Sequence, residues 1–245
     1  MSVEVVGHGG AGDFYPGNSR PSIEKALELG VDRIEFDVQR AAGDQIVLVH
    51  DDDIWIDGKR HRIHNLAVNE IRRSLDGLLT LDEAIELTRG KCRLLIDIKS
   101  PGYETLVADA INSAGIADQT IVSTTHARTL LRIRQCAPGV QLGLSTGHIS
   151  TVMRKNKLIS VTSGVLAAVT PLPFITTARL IHAENLMLNY RICSPRFVRA
   201  AHRSGLRVYA WTVNNPKPIQ RLIAQGVDGV ISNRPDLVQE ALGLR

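Results

Sequence analysis

Eight short β-rich runs alternate with eight amphipathic, helix-like segments along 245 residues, and this alternation predicts an α/β chain folded as a single-domain (β/α)8 TIM barrel. Three observations carry the expectation. Strand and helix signals follow one another from end to end, the pattern of parallel strands joined by crossover helices. A hydrophobic share of 44% over this length suffices for one large core. The ionisable residues that could carry chemistry fall at the C-terminal ends of several different runs, where barrels of this kind gather their reactive groups.

Taken in order, the barrel strands are expected at Val3 to Gly7, Arg33 to Val38, Arg93 to Ile98, Thr120 to Ser123, Val140 to Leu144, Leu186 to Tyr190, Arg207 to Trp211 and Gly229 to Ile231. Helices are expected at Pro21 to Leu29, where Pro21 suits the first helical position, and at Leu81 to Arg89, stopped by Gly90. Further helices are read at Glu104 to Ala114, Ala127 to Gln135, Thr176 to Ala183, Pro195 to Ser204, Lys217 to Gln225 and Pro235 to Leu242. Gln45 to Val49 reads as an extra strand folded back beside Arg33 to Val38, and Ala67 to Leu75 as a short helix in a small insertion around 52–79. No linker or low-complexity tract divides the chain, so 1–245 reads as one catalytic domain. A doubly wound open sheet is the competing architecture. Its phosphate turn would have to be the Gly7 to Gly12 stretch, which lacks an acid at the distance that serves a ribose.

Composition narrows the function. Met1-Ser2-Val3-Glu4-Val5 carries an early acid and no long apolar core, so neither a secretory signal nor a membrane span is expected. Cys92, Cys136 and Cys193 have no metal-binding spacing and leave one over if two pair, which suits reduced thiols in a cytoplasmic protein. The net charge of +4 is scattered and aromatics are only 4%, so a small anionic substrate fits better than nucleic acid. A homo-oligomer stays open.

The stretch from Val31 to Asp51 concentrates the chemistry. Glu35 and Asp37 stand two apart in a β-rich run, so both carboxylates project from one side of the strand. Turned into a barrel, two acids require a cation, and hard oxygen donors suit Mg2+ or Ca2+ better than zinc. A second run delivers His50 and Asp51 at its end, and the first strand of the chain runs out at His8.

These residues, with Gly7-His8, Pro16-Gly17-Asn18-Ser19, Ala26 to Gly30, Ile34-Glu35-Phe36-Asp37-Val38 and Val49-His50-Asp51, resemble the signature of the glycerophosphodiester phosphodiesterase family in order and spacing. The resemblance continues through Thr80 to Ala84, Leu95-Ile96-Asp97-Ile98-Lys99, Ile121 to Thr124, Ala210-Trp211-Thr212-Val213-Asn214 and Gly226 to Ile231, leaving only about Thr146 to Ile175 without a counterpart. It implies a metal-dependent phosphodiesterase that cleaves a small glycerophosphodiester to a phosphomonoester and an alcohol. His8 and His50 would be the acid–base pair, Glu35, Asp37 and Asp97 the ligands of one divalent ion, and Lys99 and Trp211 substrate contacts. His61, His64, His126, His148, His182 and His202 match nothing and receive no role.

Four positions depart from the family pattern: Gly9 stands for an Arg, Gly17 for a Glu, Asp97 for a Glu and Asn233 for an Asp. The Asp97-x-Lys99 form is similar to the sphingomyelinase D branch. Losing two long side chains at Gly9 and Gly17 predicts a wider pocket there and a preference for a bulkier, polyhydroxylated diester. The alternatives are a phosphodiesterase or cyclising lyase acting on a sugar phosphodiester or lysophospholipid, and a barrel that binds a phosphorylated ligand without turnover.

Overall fold

A computed structural model describes residues 2–147 and 171–244; His148 and most of the 146–175 stretch lie outside them. In chain order the strands are β1 (Glu4–His8), β2 (Arg33–Arg40), β3 (Ile46–Leu48), β4 (Asp53–Ile56), β5 (Lys59–Arg62), β6 (Arg93–Ile98), β7 (Thr120–Thr124), β8 (Gln141–Ser145), β9 (Asn185–Asn189), β10 (Arg207–Trp211) and β11 (Gly229–Ser232). The α-helices are α1 (Arg20–Leu29), α2 (Val68–Ser74), α3 (Leu81–Thr88), α4 (Glu104–Ala114), α5 (Ala127–Cys136), α6 (Leu172–Leu180), α7 (Pro195–Arg203), α8 (Pro216–Ala224) and α9 (Pro235–Ala241). Strands β1, β2 and β6 to β11 pair in parallel, and β1 pairs with both β2 and β11, which closes a barrel with helices between the strands. The predicted barrel is therefore the observed one, and the open doubly wound sheet is excluded.

Period-two alternation sorts each strand's side chains into two cores. On β2, Ile34, Phe36 and Val38 point outward into the apolar layer shared with the helices, while Arg33, Glu35 and Asp37 take the opposite, inward side. Inside the barrel the side chains stack in layers. The middle layer is apolar: Val6, Leu95, Ile121, Met187, Tyr209 and Ile231 form one cluster. Two glycines make room for its largest members. A Cβ at Gly229 would lie 2.4 Å from the Tyr209 ring, and one at Gly143 would lie 2.6 Å from Met187 Cε.

The bottom layer is polar and closed. Glu4 accepts from Arg33 Nε at 3.1 Å and from Arg207 at 2.9 Å, and Arg93 lies 3.1 Å away. Arg33, 2% exposed, also donates to the Leu94 and Gln119 carbonyls. The top layer carries the candidate site.

The insertion holds the largest departure from the sequence-based expectation. The extra strand β3 pairs antiparallel with β2 as expected, and α2 falls within the predicted short helix. Between them an unpredicted hairpin, β4–β5, packs Ile54 into a satellite core with Val47, Ile63 and Ile71. Its turn is Asp57-Gly58, both at positive φ (49° and 72°), the geometry of a two-residue turn whose twist matches the flanking strands. A second correction concerns α6, which begins at Leu172 and ends at Leu180 instead of running from Thr176 to Ala183. Proline in the first turn costs no helical hydrogen bond, so the helix starts ahead of the threonines.

Candidate active site

Strand ends bring the predicted residues to one place. His8, Glu35, His50, Asp97, Lys99 and Trp211 all line a single cavity of about 570 Å³ at the C-terminal mouth of the barrel. Asp37 does not line it; at 2% exposure it is buried and meets the cavity through Lys99. Register explains the convergence: His8 pairs with Glu35 across β1–β2, Asp37 with Asp97 across β2–β6, and Asp97 with Ser123 across β6–β7.

Each acid is held differently. Lys99 Nζ bridges two of them, 2.5 Å from Asp37 Oδ1 and 2.7 Å from Asp97 Oδ2. Asp97 also accepts from Ser123 Oγ at 2.5 Å. Asn18 brackets Asp37 on both sides, donating its amide to Oδ2 at 2.9 Å and accepting from the Asp37 backbone N–H at 3.0 Å. Glu35 accepts from the Gly9 backbone N–H at 3.0 Å, its one hydrogen bond among the described residues.

The electrostatics follow from setting three carboxylates against one ammonium. Burial and the neighbouring Asp37 charge push the Glu35 carboxyl well above the usual carboxylate range. Burial acts the same way on Asp37, but Lys99 and the two site histidines outweigh it and hold that carboxyl low. Burial alone would lower Lys99; Asp97, Asp37 and Glu35 overcome it and hold the ammonium charged. Among the described residues no group of His, Cys, Asp and Glu is gathered as a metal centre. The ammonium of Lys99 spans Asp37 and Asp97 instead. Among the described residues Glu35 has no Lys or Arg in contact, only His8 Nε2 at 4.0 Å, and its oxygen donors suit a hard cation.

The two histidines have unlike partners. His8 Nδ1 lies 2.6 Å from Asn233 Oδ1, and an amide oxygen only accepts, so Nδ1 carries the hydrogen. Its Nε2 faces Thr212 Oγ1 at 3.4 Å and Glu35 at 4.0 Å. His50 Nδ1 meets Asp51 Oδ1 at 2.8 Å, and this side chain is half-exposed.

Sequence reasoning leaves Asn18, Ser123 and Asn233 without a chemical task. The signal for them lay in their positions: Ser123 shares the register row of Asp97, and Asn18 has φ +64°, a conformation asparagine tolerates better than most residues. The wide pocket expected at Gly9 and Gly17 is not found. Neither glycine lines the cavity. They pack on each other: a Cβ on Gly9, which sits at φ +53°, would come within 3.0 Å of Gly17 Cα and 2.9 Å of the Asn18 nitrogen. The space freed by the missing side chains is taken up by backbone, which seats Asn18 against Asp37.

A barrel whose C-terminal mouth gathers two histidines, three acids and a lysine around one cavity has the parts of a phosphoric diester hydrolase. The chain belongs to the glycerophosphoryl diester phosphodiesterase family, whose model matches residues 8–237. A glycerophosphodiester phosphodiesterase of Caldanaerobacter subterraneus subsp. tengcongensis is 26% identical over 255 residues, covering 96% of each chain. Among solved structures, a glycerophosphodiester phosphodiesterase of Thermotoga maritima superposes with TM-score 0.74 at 22% identity, covering 100% of this chain and 99% of that one. A phosphodiesterase of Oleispira antarctica, solved with the product sn-glycerol-3-phosphate, superposes with TM-score 0.75 at 21% identity, covering 97% and 96%. The chain is accordingly an enzyme, a hydrolase of phosphodiesters.

Proposed function

We propose that this chain hydrolyses a glycerophosphodiester to a phosphomonoester and an alcohol, with His8 and His50 as its acid–base pair. The observation that carries this reading is that both imidazoles share one cavity with Glu35, Asp97 and Lys99. The product sn-glycerol-3-phosphate in the Oleispira antarctica phosphodiesterase supports the glycerol phosphate half of the substrate.

Each residue has a task that its surroundings suit. Lys99, kept charged by its three acids, offers its ammonium to a phosphate oxygen. With Nδ1 engaged by Asn233, His8 presents Nε2 to the cavity as the atom that takes or gives a proton. Asp51 does the same for His50, fixing the ring with Nδ1–H toward the carboxylate. Glu35, Asp37 and Asp97 would hold one Mg2+ or Ca2+ ion, which, when bound, supplies charge neutralisation and polarises the phosphoryl group. Trp211 forms a wall for the alcohol group.

The test is release of phosphomonoester from a panel of glycerophosphodiesters by the metal-loaded protein. His8→Ala and His50→Ala should each lower turnover by at least about a hundredfold with the melting temperature little changed. Near-normal turnover by either variant removes that histidine from the mechanism, and no release from any diester removes the activity itself.

A further inference from the structure

The mouth of the barrel is divided around its circumference. One arc, from β1 through β2 to the end of β6, contributes His8, Glu35, Asp97 and Lys99, and with the nearby His50 it supplies every ionisable group on the cavity wall among the described residues. Among the described residues the facing arc, β7 to β11, brings no charged side chain to the wall, which includes Thr125, Ser145, Met187, Trp211, Thr212 and Ile231. A diester placed with its phosphate at Lys99 lays one of its two alcohol groups along that uncharged arc.

From this we infer that the enzyme selects diesters whose second alcohol is an uncharged polyol, such as inositol or glycerol, over those carrying an ammonium, such as choline or ethanolamine. The inference rests on the glycerophosphodiester reading above and specifies its substrate class. A polyol both donates and accepts hydrogen bonds, and so do the three hydroxyls of Thr125, Ser145 and Thr212, so the two surfaces can satisfy each other in either sense. Apolar ring faces of a polyol can lie on Trp211 and Met187. An ammonium carries a charge that must give up water on entering, and among the described residues the facing arc sets no carboxylate on the cavity wall to answer it. The acids that could do so stand across the cavity, around the phosphate. A volume of about 570 Å³ falls in the ordinary range for small-molecule sites, so an inositol-sized group is admitted.

The experiment compares kcat/KM for glycerophosphoinositol and glycerophosphoglycerol with that for glycerophosphocholine and glycerophosphoethanolamine, since this ratio reports differential binding of the transition state. The polyol diesters should lead by tenfold or more. Ser145→Asp, which sets a carboxylate in the uncharged arc, should shift the ratio at least tenfold toward the cationic pair. Equal or better turnover of the cationic diesters, or an unmoved ratio in Ser145→Asp, overturns the inference while leaving the hydrolase intact. Calorimetric binding of glycerophosphoinositol and glycerophosphocholine to the His8→Ala protein separates the two readings. Tighter binding of the polyol diester, with no wild-type turnover of any diester, keeps the polyol wall and discards the hydrolase. Equal binding in that case discards both.

Discussion

The two ends of this barrel bury glutamates in opposite company. At the bottom, Glu4 is surrounded by Arg33, Arg93 and Arg207, and although burial alone would raise its carboxyl, those charges and the Arg207 hydrogen bond hold it below the usual value. At the top, Glu35 is buried beside Asp37, accepts from the Gly9 backbone N–H with His8 Nε2 4.0 Å away, and is pushed up. The apolar layer containing Val6, Leu95, Met187 and Tyr209 separates them. The bottom cluster is complete in itself and serves the fold. The top cluster sets three acids against one lysine, an arrangement more typical of functional sites than of purely structural ones.

The largest effect should come from breaking the bottom. Glu4→Gln leaves Arg33 buried without its counter-charge, which costs roughly 3 to 5 kcal/mol and should lower the melting temperature by about 10 °C or more. Turnover per folded molecule should hold, because nothing at the mouth is touched; a matching loss of turnover would mean the two ends are coupled. The deficit should also depend on pH. The Glu4 carboxyl is held below its ordinary value of 4.5, so its contribution is fully present above that value and is lost as pH falls through the lowered one. Melts of wild type and Glu4→Gln should therefore converge on acidification, and a gap that stays constant to the acid limit would contradict the pairing.

The same substitution at the top should act with the opposite sign. In chelator, Glu35→Gln relieves an unpaired buried carboxylate while keeping an acceptor for the Gly9 N–H, and should raise the melting temperature by about 2 to 4 °C, with turnover abolished. Millimolar Mg2+ or Ca2+ should stabilise wild type and have much less effect on this variant. A lower melting temperature for Glu35→Gln in chelator, or an equal cation response, would count against the acid trio as a cation site. Smallest in the series is Ser123→Ala, which removes the hydroxyl that Asp97 accepts from. A hydrogen bond to a charged group is worth roughly 1.5 kcal/mol at the low end, or about tenfold in kcat/KM. An unchanged kcat/KM would make Ser123 a packing residue only.

What could be read from the sequence follows the same division between local and distant causes. Barrel strands were legible to within about two residues, because buried parallel strands are short apolar runs bounded by turn residues. Glu35 and Asp37 stood out because a charged side chain inside such a run loses water and gains nothing from apolar packing, so a ligand or a reaction must answer for it; His8, His50 and Asp97 gained their weight from the resemblance of their motifs to the family. Asn18, Ser123 and Asn233 did not, since what gives each its role is a partner 19, 26 or 225 residues away. The Gly9–Gly17 contact shows the limit from another side: two missing side chains imply space only if the backbone stays put, and here the two loops meet. The β4–β5 hairpin, by contrast, had a local signal in Asp57-Gly58, masked by the charged residues of the insertion.

The bond from His8 to Asn233 joins residues 225 positions apart, and β1 lies beside β11. In order of synthesis, the histidine is made long before the partner that orients it. A nascent chain lacking β11 leaves β1 and β10 as unpaired edges and His8 without its anchor. The protein thus acquires its seam and its oriented imidazole in one late event, and until then its open strand edges make it a chain at risk of mispairing before it is an enzyme.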